Sequence, residues 1–169
     1  MRTIVCLLIL LLGAASSPAQ DKPGAPREVT VDRVALTNVG FLLTLKTLEG
    51  ADRIEMVIGF LEGESIRMAQ AREKAPRPMT HDIFKTFLDR NGWRVERVVV
   101  RDLVSGAFLA DLVFQKDGQK QTYDARPSDS IALAVRSGAK IFVADKVFDL
   151  QRREDEKAPQ QRRSRPGIT

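Results

Sequence analysis

Val29 and Val31 alternate with polar neighbours, and Val34 and Leu36 then resume the pattern one position out of phase. Strict alternation marks a half-buried strand, and a slip of one residue marks a bulge, so this segment predicts a strand with a bulge near Asp32 and Arg33. Asn38, Val39 and Gly40 form a turn, Phe41 to Leu45 is a short, nearly continuous apolar strand, and Ile54 to Ile58 is a third strand. After Gly59 the period changes. Between Glu62 and Lys74, Ile66 and Ala69 lie three apart among helix formers, which predicts a moderately amphipathic helix ended by Pro76 and Pro78. Thr80 suits the N-cap of a second helix, where Ile83, Phe84, Phe87 and Leu88 make one apolar stripe and Asn91-Gly92 ends the run.

Trp93 to Arg101 and Ala107 to Phe114 are rich in strand-forming residues and meet at a turn around Ser105-Gly106. Asp117-Gly118 is a hairpin signal leading into Lys120 to Asp124, so three antiparallel strands follow in a row. Pro127 occupies the position a helix favours for its first residue, and Ile131 to Val135 is apolar almost all round, which predicts a buried helix running to Gly138. Lys140 to Val143 reads as a last short strand and Asp145 to Leu150 as a short terminal helix. Hairpins and helices without regular strand-helix alternation predict an α+β domain, a mixed and mainly antiparallel sheet with three to four helices. No boundary divides residues 28–150.

The two ends change the picture of where the protein works. Arg2, the apolar run Ile4 to Leu12 and the small residues up to Ala19 follow signal-peptide order, and cleavage after Ala19 is expected to open the mature chain at Gln20. The run falls short of the roughly 20 residues that cross a bilayer, so no stable membrane anchor is expected after cleavage. The mature protein is expected to be exported, periplasmic or secreted. Cys6 leaves with the signal, and no disulfide, thiolate metal site or cysteine nucleophile then remains. Residues 20–27, with Pro23, Gly24 and Pro26, read as a linker, and residues 151–169 as a disordered basic tail. The chain's net charge is +5, of which the tail carries a surplus of three and Arg2 one, leaving about +1 on the domain. Composition alone therefore shows no basic groove. The tail offers either a flexible polycation for polyanions or simple solubility.

Candidate chemistry concentrates beside two predicted helix starts, Arg77-Pro78-Met79-Thr80-His81-Asp82 and Asp124-Ala125-Arg126-Pro127-Ser128-Asp129-Ser130. No Walker loop, GxSxG elbow or HExxH motif occurs, and a single histidine excludes a multi-histidine metal centre. These two segments, together with Ile58-Gly59, Glu62, Glu64, the continuation Ile131-Ala132-Leu133-Ala134 and the closing Ile141-Phe142-Val143-Ala144, resemble the bifunctional nuclease domain family. The resemblance runs from about Val29 to Leu150. It implies an α+β fold that commonly pairs into homodimers, and a nuclease activity on DNA and RNA as substrates.

Phosphodiester hydrolysis needs an activated water, a stabiliser for charge on the phosphorane and a proton for the leaving oxygen. His81, Asp82 and Asp129 are the candidate catalytic groups, and Arg77, Arg126 and Ser128 the candidate substrate-binding groups, with helix amides adding their dipoles. Asp124 and Asp129 are candidate oxygen ligands for a divalent cation such as magnesium, with Glu62 or Glu64 as further carboxylates. Each has a structural role open to it as well. Asp82 and Asp129 suit the first turn of a helix, Thr80 and Ser128 suit a cap, and Asp124 with Arg126 suits an ion pair between strand and helix. An exported nuclease is the leading expectation; the alternative is a non-catalytic envelope module for ligand binding or assembly.

Overall fold

The computed structural model describes residues 24–163, and side chains as far as Glu156. The expected signal peptide, the start of the linker and the last six residues of the tail lie outside the described residues. Strands β1 (Arg27–Thr37), β2 (Gly40–Thr47) and β3 (Arg53–Ile58) form an antiparallel meander, followed by helices α1 (Phe60–Ala71) and α2 (Thr80–Arg90). A second meander, β4 (Arg94–Val104), β5 (Ala107–Lys116) and β6 (Gln119–Ala125), leads into α3 (Pro127–Ser137), β7 (Lys140–Val143) and α4 (Asp145–Arg163). The seven strands make one sheet in the order β3-β2-β1-β7-β4-β5-β6. The four-residue β7 joins the two meanders, antiparallel to β1 and parallel to β4. The domain is α+β, with one mainly antiparallel sheet.

Local chemistry accounts for most of these elements. The register of β1 on β2 shifts between Val31 and Arg33, the bulge that the phase slip predicts. Asp117 and Gly118 both have positive φ, 47° and 79°, as a tight hairpin turn between right-twisted strands requires. Helix α3 opens on Pro127, closes on Gly138 in the left-handed conformation, and buries every residue from Ser130 to Ala134. It is apolar nearly all round because it packs on β4 and β5 and also touches α1 and α2. Truncating the fully buried Ile131 to alanine would cost about 2–5 kcal/mol.

Three local expectations are corrected. Helix α1 runs from Phe60 to Ala71 rather than from Glu62 to Lys74, and Arg72, left-handed at φ 56°, ends it. The Glu73 N–H bonds Met68 O at 2.9 Å, so Pro76 and Pro78 lie in the following loop. The N-cap of α2 is Met79, not Thr80. Asp82 at the third helical position accepts the Met79 N–H at 2.9 Å and satisfies the helix start from inside. The apolar stripe expected on α2 is present, and of its residues Leu88 is buried; Ile83 and Phe87 are 60% and 58% exposed, while Phe84 meets the Phe114 ring edge-on. Finally, α4 continues beyond Leu150 to Arg163, where the composition predicts disorder. The Gln151 amide accepts the Glu55 N–H at 3.1 Å and donates to Glu55 O at 2.8 Å, tying the polar run to edge strand β3.

Candidate functional site

The starts of α1, α2 and α3 meet where these helices pack together over the sheet. Glu62 is the third residue of α1 and Ser65 lies one turn further on the same face. The helix can lie this close to β2 because Gly63 has no Cβ: one placed there would fall 2.3 Å from the Phe41 ring. Gly59 serves the site itself, since a Cβ at that position would fall 2.3 Å from Glu62 Oε2. His81 is the second residue of α2, Arg126 is the N-cap of α3, and Asp129 is its third residue.

A continuous hydrogen-bond path joins them. Ser65 Oγ and His81 Nδ1 are 2.9 Å apart, and His81 Nε2 lies 3.3 Å from Asp129 Oδ1. Arg126 donates from Nε to Asp129 Oδ2 at 2.7 Å and from one terminal nitrogen to Asp129 Oδ1 at 3.2 Å and Glu62 Oε1 at 2.7 Å. An ionised carboxylate only accepts, so the proton between His81 and Asp129 belongs to Nε2. In the neutral ring Nδ1 is then an acceptor, and the Ser65 hydroxyl donates to it. The same hydroxyl accepts from Nδ1–H when the ring is charged, so Ser65 holds the imidazole in either state. Ser65 is fully buried and the His81 side chain is 12% exposed, whereas Arg126 is 68% exposed and is the group that reaches solvent.

The electrostatics follow from these bonds. Asp129 and, next, Glu62 hold the Arg126 guanidinium in its charged form and raise its pKa. Two carboxylates against one guanidinium leave a formal charge of −1 with a neutral imidazole. Against it stand three helix N-termini, each equivalent to roughly half a positive charge, turned to the same place. Behind the cluster, the Asp82 carboxylate accepts Arg136 Nε at 2.7 Å in addition to the Met79 N–H. Burial pushes the Asp82 pKa up, but its bonds to Arg136 and to the Met79 N–H, with the Arg136 charge, outweigh this and hold it below the ordinary carboxylate value.

The structure thus brings His81, Arg126 and Asp129 into contact, with Asp82 adjacent and bonded to a different partner. The other candidates lie elsewhere. Asp124 is one residue before Ala125 on β6 and points to the opposite face of the sheet, where Arg101 binds it at 2.5 Å and Asp111 at 2.8 Å. Asp124 and Asp129 therefore do not form a joint ligand pair, and Arg126 occupies the space between Glu62 and Asp129. Among the described residues no group of three His, Cys, Asp or Glu side chains is placed to hold a metal ion. Ser128 is 7% exposed and withdrawn from the surface where a substrate phosphate would lie. Arg77 is exposed in the α1–α2 loop, outside the hydrogen-bonded cluster. Glu64 turns to Arg67 instead of joining Glu62.

Ser65 and Arg136 are members of the arrangement that sequence reasoning missed. The available signal was a serine on the buried side of α1, three residues after Glu62 and next to Ile66. Arg136, seven residues after Asp129, lies on the same face of α3 two turns on, a spacing that gains meaning only when α2 is known to cross that face.

Comparison with known proteins bears on what this arrangement does. The model of the bifunctional nuclease domain matches residues 43–156. A Mycobacterium tuberculosis protein named as uncharacterised is 35% identical over 107 residues, which are 63% of each chain. Bifunctional nuclease 2 of Arabidopsis thaliana is 32% identical over 106 residues, 60% of this chain and 32% of the plant protein. Bifunctional nuclease 1 of Oryza sativa subsp. japonica is 28% identical over 110 residues, 62% of this chain and 33% of that protein. The matched region thus spans under two thirds of the mycobacterial relative and about a third of the plant ones.

Proposed function

The chain belongs to the bifunctional nuclease domain family, and from that premise we propose that the junction of its three helix ends hydrolyses phosphodiester bonds in DNA, RNA or both. One observation carries the reading. A histidine held at both ring nitrogens, two carboxylates and an exposed arginine, from segments 62–65, 81 and 126–129, form a single bonded cluster. Arg126 meets the phosphate and offsets charge on the phosphorane, while Asp129 and Glu62 fix the plane of its guanidinium. Glu62 Oε2 has no hydrogen-bond partner among the described residues and takes the proton of the attacking water. The new bond forms between water oxygen and phosphorus, and the bond to the leaving oxygen breaks. The doubly protonated His81 ring gives its Nε2 proton to that oxygen, exchanging its long contact with Asp129 for the substrate, and is left neutral with its remaining proton on Nδ1, donated to Ser65.

The donor set does not fit the divalent ion expected of Asp124 and Asp129, so no step is routed through one. The proposal extends to action outside the cytoplasm, in the periplasm or medium, and to pairing of two copies. Incubating the mature protein with labelled single-stranded and duplex DNA and RNA, with magnesium, manganese or chelator, tests the chemistry. Activity that persists in both His81→Ala and Asp129→Asn would remove this site. A monomer mass by light scattering would remove the dimer, and retention in the cytoplasm on fractionation would remove export. One observation favours the non-catalytic alternative: both ring nitrogens of His81 are engaged within the protein. Absence of cleavage under every condition would decide for it.

A further inference from the structure

Behind the cluster, an open cavity of about 600 Å³ lies between the C-terminal halves of α1 and α3 and the loop that leads into α2. Its volume falls in the range of roughly 300–1,000 Å³ that small-molecule sites occupy. Met68 and Ala69 of α1, Val135 of α3 and Met79 at the start of α2 give it an apolar wall. Arg72 and Lys74 supply charge at its rim. The two acids on the lining are already matched, Glu73 by Arg67 and Asp82 by Arg136, whereas Arg72 and Lys74 have no ion-pair partner among the described residues. The cavity therefore presents an apolar surface beside two unmatched cations.

We propose that this cavity receives an unpaired nucleotide of a single-stranded nucleic acid, the base lying on the methionine wall and a backbone phosphate on Arg72 and Lys74. The inference rests on the phosphodiesterase reading of the neighbouring cluster. Polarisable thioethers accept the flat face of any base, which gives binding without sequence preference. A paired base cannot enter a concave site without being unstacked and unpaired first, so single strands are preferred over duplex. The placement also fits the length of a strand. Asp129 and Arg136 are seven residues apart on α3, about 10 Å along its axis. Stacked nucleotides rise about 3.4 Å each, so the cavity lies within about three nucleotides of the cluster.

Arg72 adds an independent sign. It adopts the left-handed conformation, at φ 56° and ψ 27°, in the helix-ending position where glycine is usual. A non-glycine residue held there is strained, and here its side chain lines the cavity.

That strain provides the test. Arg72→Gly relieves it and removes the guanidinium, so stability and binding should move in opposite directions. Binding of a fluorescein-labelled oligothymidylate of about ten nucleotides, a length within the usual range of single-strand sites, is measured by anisotropy, alone and annealed to oligoadenylate. Cleavage of the same strands is measured in parallel on wild type, Arg72→Gly and Arg72→Gly/Lys74→Ala. The expected result is a melting temperature for Arg72→Gly at or above that of wild type, with single-strand affinity at least tenfold weaker in the double variant and little change for the duplex. Wild-type affinity in the double variant overturns the proposal, and if cleavage is also intact the nuclease reading stands without it. Should wild type bind the strand through these residues but cleave nothing, the cavity stands and the hydrolase reading falls. Equal affinity of wild type for single strand and duplex overturns the proposed preference.

Discussion

Asp129→Asn separates catalysis from folding at the centre of the cluster. In wild type the carboxylate accepts from Arg126 Nε at 2.7 Å and faces His81 Nε2 at 3.3 Å. Asparagine keeps the shape and one acceptor, which Arg126 retains, and turns its amide toward His81. Two donors cannot share one hydrogen bond, so the amide disfavours the doubly protonated ring and favours the neutral ring with its proton on Nδ1, given to Ser65, leaving Nε2 with none to donate. Loss of a positioned proton donor costs about 10²–10⁴-fold in rate, or roughly 3–5 kcal/mol of barrier. The folding cost is much smaller. Arg126 is 68% and Asp129 33% exposed, an ion pair worth at most about 1 kcal/mol, and the lost anion in the first turn of α3 adds roughly 0.3–1 kcal/mol. A thermal shift of only a few degrees is therefore expected, on the order of 4 °C. Initial rates on a fluorophore-quencher oligonucleotide, with kcat and KM separated, and a melting curve by circular dichroism read the two effects. Activity within threefold of wild type, or unfolding at assay temperature, would refute the reasoning.

Three other substitutions probe different parts of the arrangement. Ser65→Ala strips His81 Nδ1 of its fully buried partner and should cost about 1–3 kcal/mol by urea denaturation, with kcat falling about tenfold at unchanged KM. Asp82→Asn should destabilise by about 1–2 kcal/mol at pH 7, discounted because the side chain is partly exposed. Because folding depresses the Asp82 pKa, its contribution is full above the ordinary carboxylate value and fades as pH falls through the folded one. Urea titrations of wild type and variant should thus converge in acid; a gap that widens there contradicts the sign. Asp124→Asn, on the far face of the sheet, should leave cleavage and any magnesium response unchanged, and a hundredfold loss would return it to the site.

The boundary between sequence and tertiary structure runs along the range of the forces involved. The phase slip at Asp32, the Asp117-Gly118 turn, Pro127 and Gly138 at the ends of α3 and the apolar run inside it act over a few residues, and each was legible in the chain. So were the polar segments around His81 and Arg126, because helix starts carry their own chemistry. Periodicity shows which residues share a face but not what covers it, so the exposed stripe of α2 escaped it. Only the fold decided that β7 would be inserted between β1 and β4 and that Gln151 would tie α4 to β3. Only the fold decided, too, that Ser65, His81 and Asp129, distant along the chain, would share protons. Asp124 and Arg126 are two residues apart, yet a strand alternates its faces and the helix start turns the chain, so one lies behind the sheet and the other in the cluster. Contacts between segments far apart in sequence depend on how whole helices pack, and that is settled by the burial of the entire core rather than by any local pattern.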